Sequence, residues 1–297
     1  VRGGFSRTIP RFSHIEYGAL SMLKKFALLG LTSLVLAACG GGADSGAAAS
    51  QAQPETKVSG SLIERINNKG KIVVGTEGTY APFTYHDQSG KLTGYDVEVA
   101  RAVAQKLGVE IEFKETQWDA MLAGLKAGRF DMVANQVSLT TPERRATFDK
   151  SENYSWSGPM MLVRADNKTI KSLDDIKGLK AAQTLSSNYG EMAVAAKAEV
   201  VPVDGMAQAL TLVQQNRADF TLNDSLALLD YLKKNPDSGL KTAWKAGADD
   251  KLGSGLILNK GNTEALAKIN AAIEELQKDG TLKKLGEEFF GEDVSVK

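Results

Sequence analysis

The stretch Gly94-Tyr95-Asp96-Val97-Glu98-Val99-Ala100-Arg101-Ala102-Val103-Ala104-Gln105-Lys106-Leu107 decides the reading of the fold. A turn glycine opens it, and Val97, Val99, Ala100, Val103, Ala104 and Leu107 give an apolar spacing that is mostly helical. Asp96 and Glu98 fall in the first turn, where the helix dipole favours negative charge. Gly108 follows as the stop signal. Physical chemistry alone makes this an amphipathic helix behind a strand.

On either side, strand and helix signals alternate. A short helix begins near Ser61 and stops at Gly70, and residues 71–75 (KIVVG) read as a strand leading into an aromatic-rich loop. Further strands are expected at 110–113, 131–137, 160–163, 180–183, 200–203 and 220–223, with helices at 118–127, 188–198, 206–216, 225–234 and 264–278. This order implies α/β units with largely parallel sheets covered by helices. Ligands in such folds sit beyond the carboxyl ends of the strands. An internal echo sharpens the expectation: Arg129-Phe130-Asp131 to Asn135 and Arg217-Ala218-Asp219 to Asn223 share the spacing Arg-x-Asp-x-x-x-Asn. Each copy follows an amphipathic helix and forms a strand ending in Asn. Two similar lobes, each offering a strand end to a shared cleft, would suit capture of a small solute by hinge closure.

With 297 residues the chain can hold two domains with proper cores. Its 36 basic and 36 acidic residues balance, which argues against a nucleic-acid or anionic-membrane surface. Met22-Leu23-Lys24-Lys25 followed by an apolar run to Leu36 has the layout of a secretory signal, too short for a permanent span. Leu36-Ala37-Ala38-Cys39 resembles a bacterial lipobox, in which Cys39 would carry the lipid, with palmitate among the acyl chains expected. Residues 1–21 are expected to be an upstream non-mature segment, 22–38 the lipoprotein signal peptide, and 39–59, rich in Gly, Ala, Ser and Gln, a flexible tether. Cys39 is the single cysteine, so no structural disulfide is expected. His14 falls in the upstream segment and leaves His86 alone, so no metal site is expected.

The Gly94 motif, together with Gly75-Thr76-Glu77-Gly78-Thr79-Tyr80-Ala81-Pro82-Phe83 and the loop Val137-Ser138-Leu139-Thr140-Thr141-Pro142-Glu143-Arg144, resembles the family 3 bacterial extracellular solute-binding proteins. These serve ABC importers of polar amino acids. The likeness runs from about Leu62 to Lys297. It implies the two-lobe periplasmic-binding-protein architecture of type II (Venus-flytrap), with two hinge crossings. The first lobe would be discontinuous, 60–157 and 254–297, and the second would be 158–253. Hinges would lie near Ser157-Gly158-Pro159 and Leu252-Gly253-Ser254-Gly255.

A free amino acid presents a carboxylate and an ammonium, and both need partners when desolvated. By the resemblance, Ser138 and Arg144 would hold the α-carboxylate, with Arg145 the alternative because the loop is one residue longer than the family's pattern. Asp224 would pair the ammonium, although the local sequence reads it equally well as a helix N-cap. Ser186, Ser187 and Asn188 would offer backbone donors ahead of a helix. Glu77, Tyr80, Phe83 and Trp118 would form the side-chain pocket, with Asn135 and Gln136 at the adjoining strand end.

The wording of Glu115-Thr116-Gln117-Trp118-Asp119, Asn135-Gln136-Val137, Leu185-Ser186-Ser187-Asn188-Tyr189 and Asn223-Asp224-Ser225 is similar to the cystine-binding branch. That implies L-cystine as ligand, with L-cysteine or another polar amino acid next. Glu77 could then pair the distal ammonium. The implied partners are an ABC permease and, through it, an ATPase subunit. The protein would be exported, monomeric, lipid-anchored at the cell envelope and free of cofactors. No Gly-x-x-x-x-Gly-Lys-Ser/Thr loop is present, so ATP binding is not expected of this chain. An enzyme on the same scaffold, similar to cyclohexadienyl dehydratase, would need an acid–base carboxylate, and pairing of charges already accounts for Glu77 and Asp224.

Overall fold

A computed structural model describes residues 61–297, which belong to a single compact unit. The expected upstream segment, signal peptide, tether and Cys39 lie outside the described residues. Ser61 caps α1 (Leu62–Lys69) through a capping box with Glu64. The chain continues through β1 (Lys71–Thr76), a small meander of β2 (Thr79–Tyr80), β3 (Thr84–His86) and β4 (Leu92–Thr93), then α2 (Tyr95–Leu107), β5 (Glu110–Glu115), α3 (Trp118–Lys126) and β6 (Met132–Val137). After α4 (Pro142–Thr147) and β7 (Phe148–Lys150) it reaches β8 (Ser155–Ser157).

Past Gly158 a second sheet begins. It is built from β9 (Pro159–Arg164), β10 (Lys180–Gln183), α5 (Asn188–Ala195), β11 (Glu199–Pro202), α6 (Met206–Gln214), β12 (Phe220–Asp224), α7 (Ser225–Lys234) and β13 (Leu240–Lys245). The chain then returns along β14 (Leu252–Asn259) and closes with α8 (Thr263–Lys278) and α9 (Thr281–Phe290). The two crossing segments pair with each other: Leu252, Gly253 and Ser254 of β14 lie antiparallel to Ser157, Trp156 and Ser155 of β8.

Strand order shows how alike the lobes are. The first sheet runs β5-β1-β6-β14-β7 and the second β11-β10-β12-β9-β13. In each, three parallel strands are followed by an antiparallel one, β14 against β6 and β9 against β12. The sheets are therefore mixed rather than largely parallel. The crossings cause this, because each lobe borrows its fourth strand from chain arriving from the other. The echoed Asp residues have the same job in both lobes. Asp131 donates its amide to the Val73 carbonyl and accepts from Val73 N at 2.9 Å, while Asp219 does the same with Lys180 at 2.7 Å.

The Gly94 motif folds as read. Gly94 has φ 122°, and a Cβ there would stand 2.4 Å from the Phe83 carbonyl oxygen, so only glycine permits this entry into α2. Gly108 closes the helix in the left-handed region, donating to Ala104 and Gln105. Tyr95, Val99, Ala100, Val103 and Ala104 are buried with Ile269, Ala272, Ile273 and Leu276 of α8 and Leu282 of α9. Each large aliphatic side chain so covered contributes roughly 1.5–3 kcal/mol. The helix thus anchors the first lobe's core.

Candidate functional site

The carboxyl ends of four parallel strands converge. From the first lobe come Thr76 at the end of β1, Glu77 just after it, and Asn135 and Gln136 on β6; from the second, Gln183 and Thr184 at β10 and Asn223 at β12. Between them lies a narrow cleft, about 520 Å³ when the open solvent at its mouth is included. Tyr80 and Trp118 wall it on one side, and Asn188, Tyr189, Val203, Gly205, Met206 and Ala209 on the other. This is the crevice position that the fold favours for ligands.

Glu77 is held by Asn135 twice: its amide donates to Oδ1 at 2.9 Å, and its Oε2 accepts from Nδ2 at 2.6 Å. Desolvation raises its carboxyl to about 7, with Asp119 adding repulsion and the Asn135 bond opposing. Gly205 of the other lobe lies opposite, with a Cβ position 3.7 Å from Glu77 Oε1. Tyr80 also spans the cleft, donating to Asn223 Oδ1 at 2.6 Å.

Asp224 is buried at the seam between lobes. Its Oδ1 caps α7 by accepting from Leu226 N at 2.9 Å, so the N-cap reading of the local sequence holds. Its Oδ2 faces the first lobe, accepting from Ser157 Oγ and from Gln136 Nε2 at 3.3 Å, and Tyr189 lies 3.4 Å away. Burial raises this carboxyl despite those bonds. No cation offsets either Glu77 or Asp224 among the described residues.

The positive end is Arg144. It is buried, 5.7 Å from the centre of the Trp118 ring, and donates to the Ser186 carbonyl on the other lobe and to the Ser138 carbonyl at 3.4 Å. Glu191 lies 3.8 Å away. Arg145 is exposed and turned back onto the carbonyls of Leu139 and Thr140. Next to Arg144, Asp119 on α3 accepts from Leu185 N at 3.1 Å, Ser186 N at 2.8 Å and Ser186 Oγ at 2.7 Å. The lobes are shut along this edge.

Of the residues expected at the site, Glu77, Tyr80, Trp118, Asn135, Gln136, Ser187 and Asn188 line the cleft. Arg144, Ser186 and Asp224 sit on the closure seam around it. Phe83 requires a correction. It is fully buried 5.2 Å from the Tyr80 ring and 5.5 Å from the Phe290 ring, so it supports Tyr80 from the core and forms no wall. The Ser138 hydroxyl is turned to the Gly253 carbonyl at 3.0 Å, leaving its main chain nearer Arg144. Ser187 Oγ is occupied as the α5 cap, accepting from Gly190 N at 3.0 Å. Sequence reasoning missed Gln183, Thr184, Tyr189, Met206 and Asp119. The first two were within reach, since the echo makes the end of β10 the counterpart of the end of β1.

Residues 72–292 match the family described as bacterial extracellular solute-binding proteins, family 3. The chain belongs to this family. The L-cystine-binding protein TcyA of Bacillus subtilis strain 168 is 47% identical over 276 residues, covering 91% of this chain and 99% of the relative. A crystal structure of the L-cystine solute receptor of Neisseria gonorrhoeae in the unliganded open conformation is 71% identical, with a TM-score of 0.55 over 80% of this chain and all of that one. An ancestral arginine-binding protein bound to arginine is 37% identical, yet its TM-score is 0.69 over 75% of this chain and 99% of its own. As a family 3 solute-binding protein, the molecule is similar in shape to a liganded relative more than to a much closer open one. Among the described residues no helix is long and apolar enough to cross a membrane, and no group of His, Cys, Asp and Glu is placed to hold a metal ion.

Proposed function

We propose that this chain captures L-cystine between its two lobes and delivers it to the permease of an ABC importer. One observation carries the reading: Glu77 lines the cleft from the first lobe and Asp224 lies on the seam beside it from the second, both drawn out of water with raised carboxyl groups and no cation beside them. Buried unpaired carboxylates cost several kcal/mol, so the site is built to receive positive charge. Arg144, at the adjoining edge, awaits a carboxylate where it now meets the Ser186 carbonyl. A ligand with two zwitterionic ends satisfies both carboxylates at once. Asp224 takes the proximal ammonium and Glu77 the distal one, while backbone groups of Ser138 and Ser186–Asn188 assist Arg144. Tyr80, Trp118, Met206 and Ala209 flank the apolar disulfide linker. The names of the 47% and 71% identical relatives support cystine over other amino acids.

The described arrangement is a closed one, which the contrast between TM-scores of 0.69 and 0.55 supports. Closure turns about 157–159 and 252–255, where β8 and β14 pair. It moves a first lobe of 60–157 and 254–297 against a second of 158–253. Cys39 carries the lipid anchor at the cell envelope, following removal of residues before it, and the protein works there as a monomer. Mass measurement of the envelope form checks the anchor, a diacylglycerol adduct at Cys39 being expected.

Calorimetric titration of the ligand-stripped protein with cystine, cysteine, glutamine, histidine and arginine tests the ligand. Cystine should bind most tightly. Heat from none of the five would sink the reading, and tighter binding of cysteine would move the assignment to a single amino acid. Glu77→Gln should weaken cystine more than cysteine; equal losses would remove the distal pairing.

A further inference from the structure

The acidic residue of the Gly94 motif has a role that core packing does not explain. Asp96 is fully buried at the start of α2, and its side chain bonds to the end of β6 and to the segment leading into the first crossing. Its Oδ2 accepts from the Gln136 amide and from the Tyr154 hydroxyl at 2.9 Å, while its Oδ1 has no partner. Gln136 has φ 52°, a left-handed backbone that a residue with a long side chain rarely adopts. From that backbone the Gln136 carboxamide donates to Ser157 Oγ at 3.1 Å and to Asp224 Oδ2 at 3.3 Å, and its carbonyl oxygen accepts from Ser155 Oγ at 2.8 Å. One chain of bonds therefore runs from the α2 terminus, through the end of β6 and the first crossing, to the acid of the second lobe.

We propose that Asp96 is a positioning residue for the ligand's ammonium: by gripping the Gln136 amide it keeps Gln136 left-handed, and so aims the Gln136 carboxamide across the cleft at Asp224. The proposal rests on Asp224 being the ammonium partner. A buried carboxylate is a costly way to satisfy one amide and one phenol, and core packing would be served as well by an apolar side chain. What the carboxylate supplies is a strong acceptor at a strained peptide. The neighbouring Tyr95 hydroxyl reinforces the arrangement by donating to the Tyr154 carbonyl at 2.6 Å, which fixes the crossing that carries Ser155 and Ser157.

A double-mutant cycle on the full protein tests this, read as the dissociation constant for L-cystine and the melting temperature of the empty form. Asp96→Asn should weaken binding at least tenfold. Gln136→Gly also loses affinity, because the bridge to Asp224 is gone, but glycine adopts a left-handed backbone unaided. Adding Asp96→Asn to Gln136→Gly should therefore cost less than a further threefold. Independent, multiplying losses would overturn the proposal. Tyr154→Phe removes the other donor to Asp96 and should lower the melting temperature while leaving affinity within threefold. An affinity loss there equal to that of Asp96→Asn would reduce Asp96 to a structural role. Should Asp96→Asn fail to fold, Asp96→Glu carries the test, since its longer arm displaces the amide: tenfold weaker binding is expected, and unchanged affinity overturns the idea. A wild-type protein that binds none of the amino acids would sink the function itself, whereas wild-type binding with an unaffected Asp96→Asn sinks only this step.

Discussion

The Tyr80 hydroxyl on one lobe donates a 2.6 Å hydrogen bond to Asn223 Oδ1 on the other. Asn223 is the second of the echoed asparagines, and its counterpart Asn135 holds Glu77 instead. The two equivalent strand ends thus divide their work. One orients a carboxylate within its own lobe, and the other ties the lobes together.

Tyr80→Phe removes that tie alone. Asn223 Oδ1 would still accept from Asp224 N at 2.8 Å, and the ring would keep its 5.2 Å contact with Phe83. A net hydrogen bond contributes about 1 kcal/mol, so cystine affinity should fall roughly fivefold. The loss should lie in faster dissociation, because the bond exists only once the lobes are shut. Stopped-flow release kinetics would show it, and an unchanged off-rate would mean that Tyr80 takes no part in closure.

Arg144 and Arg145 are adjacent and chemically identical, but only the first is buried against Trp118 and reaches Ser186. Arg144→Ala should therefore reduce cystine affinity at least a hundredfold, roughly 3 kcal/mol for a buried charge-assisted pair. Arg145→Ala, which removes bonds to its own loop only, should stay within threefold. Circular dichroism must show both variants folded. The reverse ranking by calorimetry would hand the carboxylate to Arg145.

Asp119 accepts three hydrogen bonds from Leu185 and Ser186, all on an exposed edge. Solvent competes there, so the set is worth about 1–2 kcal/mol rather than the sum of three charged bonds. Asp119→Ala should weaken cystine roughly tenfold and leave the melting temperature of the empty protein unchanged. Small-angle scattering of the liganded variant should show a larger open fraction than wild type.

Much of this was legible because periodicity and turn residues are local. The α2 boundaries follow from Gly94 and Gly108, and α7 was read to the residue from Asp224 and the run behind it. What escaped depends on partners far along the chain. The family resemblance makes residues 252–255 a hinge and the local sequence signals no strand there, yet β14 is an eight-residue strand, because β8, β6 and β7 supply its bonds. The helix α4 carries its signals openly, a Thr141 cap and Pro142 at its start, inside the segment that the family resemblance makes a binding loop. Phe83 sits in a pocket-like motif and is claimed by Phe290 of α9. Asp119 reads as an ordinary first-turn acid until the second lobe brings Leu185 and Ser186 to it. Site chemistry was visible where residue type fixes it, and closure was not, since closure is a relation between lobes.

Gly94→Ala would place a Cβ 2.4 Å from a backbone carbonyl while forcing alanine to φ 122°. Neither can be relieved by a rotamer change. A loss of at least about 3 kcal/mol in urea unfolding is expected. Asp96, two residues further on, grips the Gln136 amide, so the fraction that folds should also bind cystine less tightly than wild type. A variant of wild-type stability would show that the turn before α2 can rearrange.

Glu77 links acidity to both stability and binding. Its carboxyl is raised from an ordinary 4.5 to about 7 by desolvation, so the closed, ligand-free fold holds this proton more tightly than the unfolded chain does. Stability from this group is therefore fully present below pH 4.5 and is lost as pH rises toward 7. The displacement corresponds to roughly 3 kcal/mol. Asp96, raised to about 7 by burial, adds a loss in the same direction that begins nearer its ordinary 3.8. Binding has the opposite sign, since a ligand ammonium needs the ionised carboxylate. Cystine affinity should rise between pH 5.5 and 7.5, while ionisation of the buried Asp96 lowers the melting temperature. Glu77→Gln should flatten the affinity profile, leaving only the parts due to Asp96 and Asp224. An affinity profile identical to wild type would place the ligand's second charge away from Glu77.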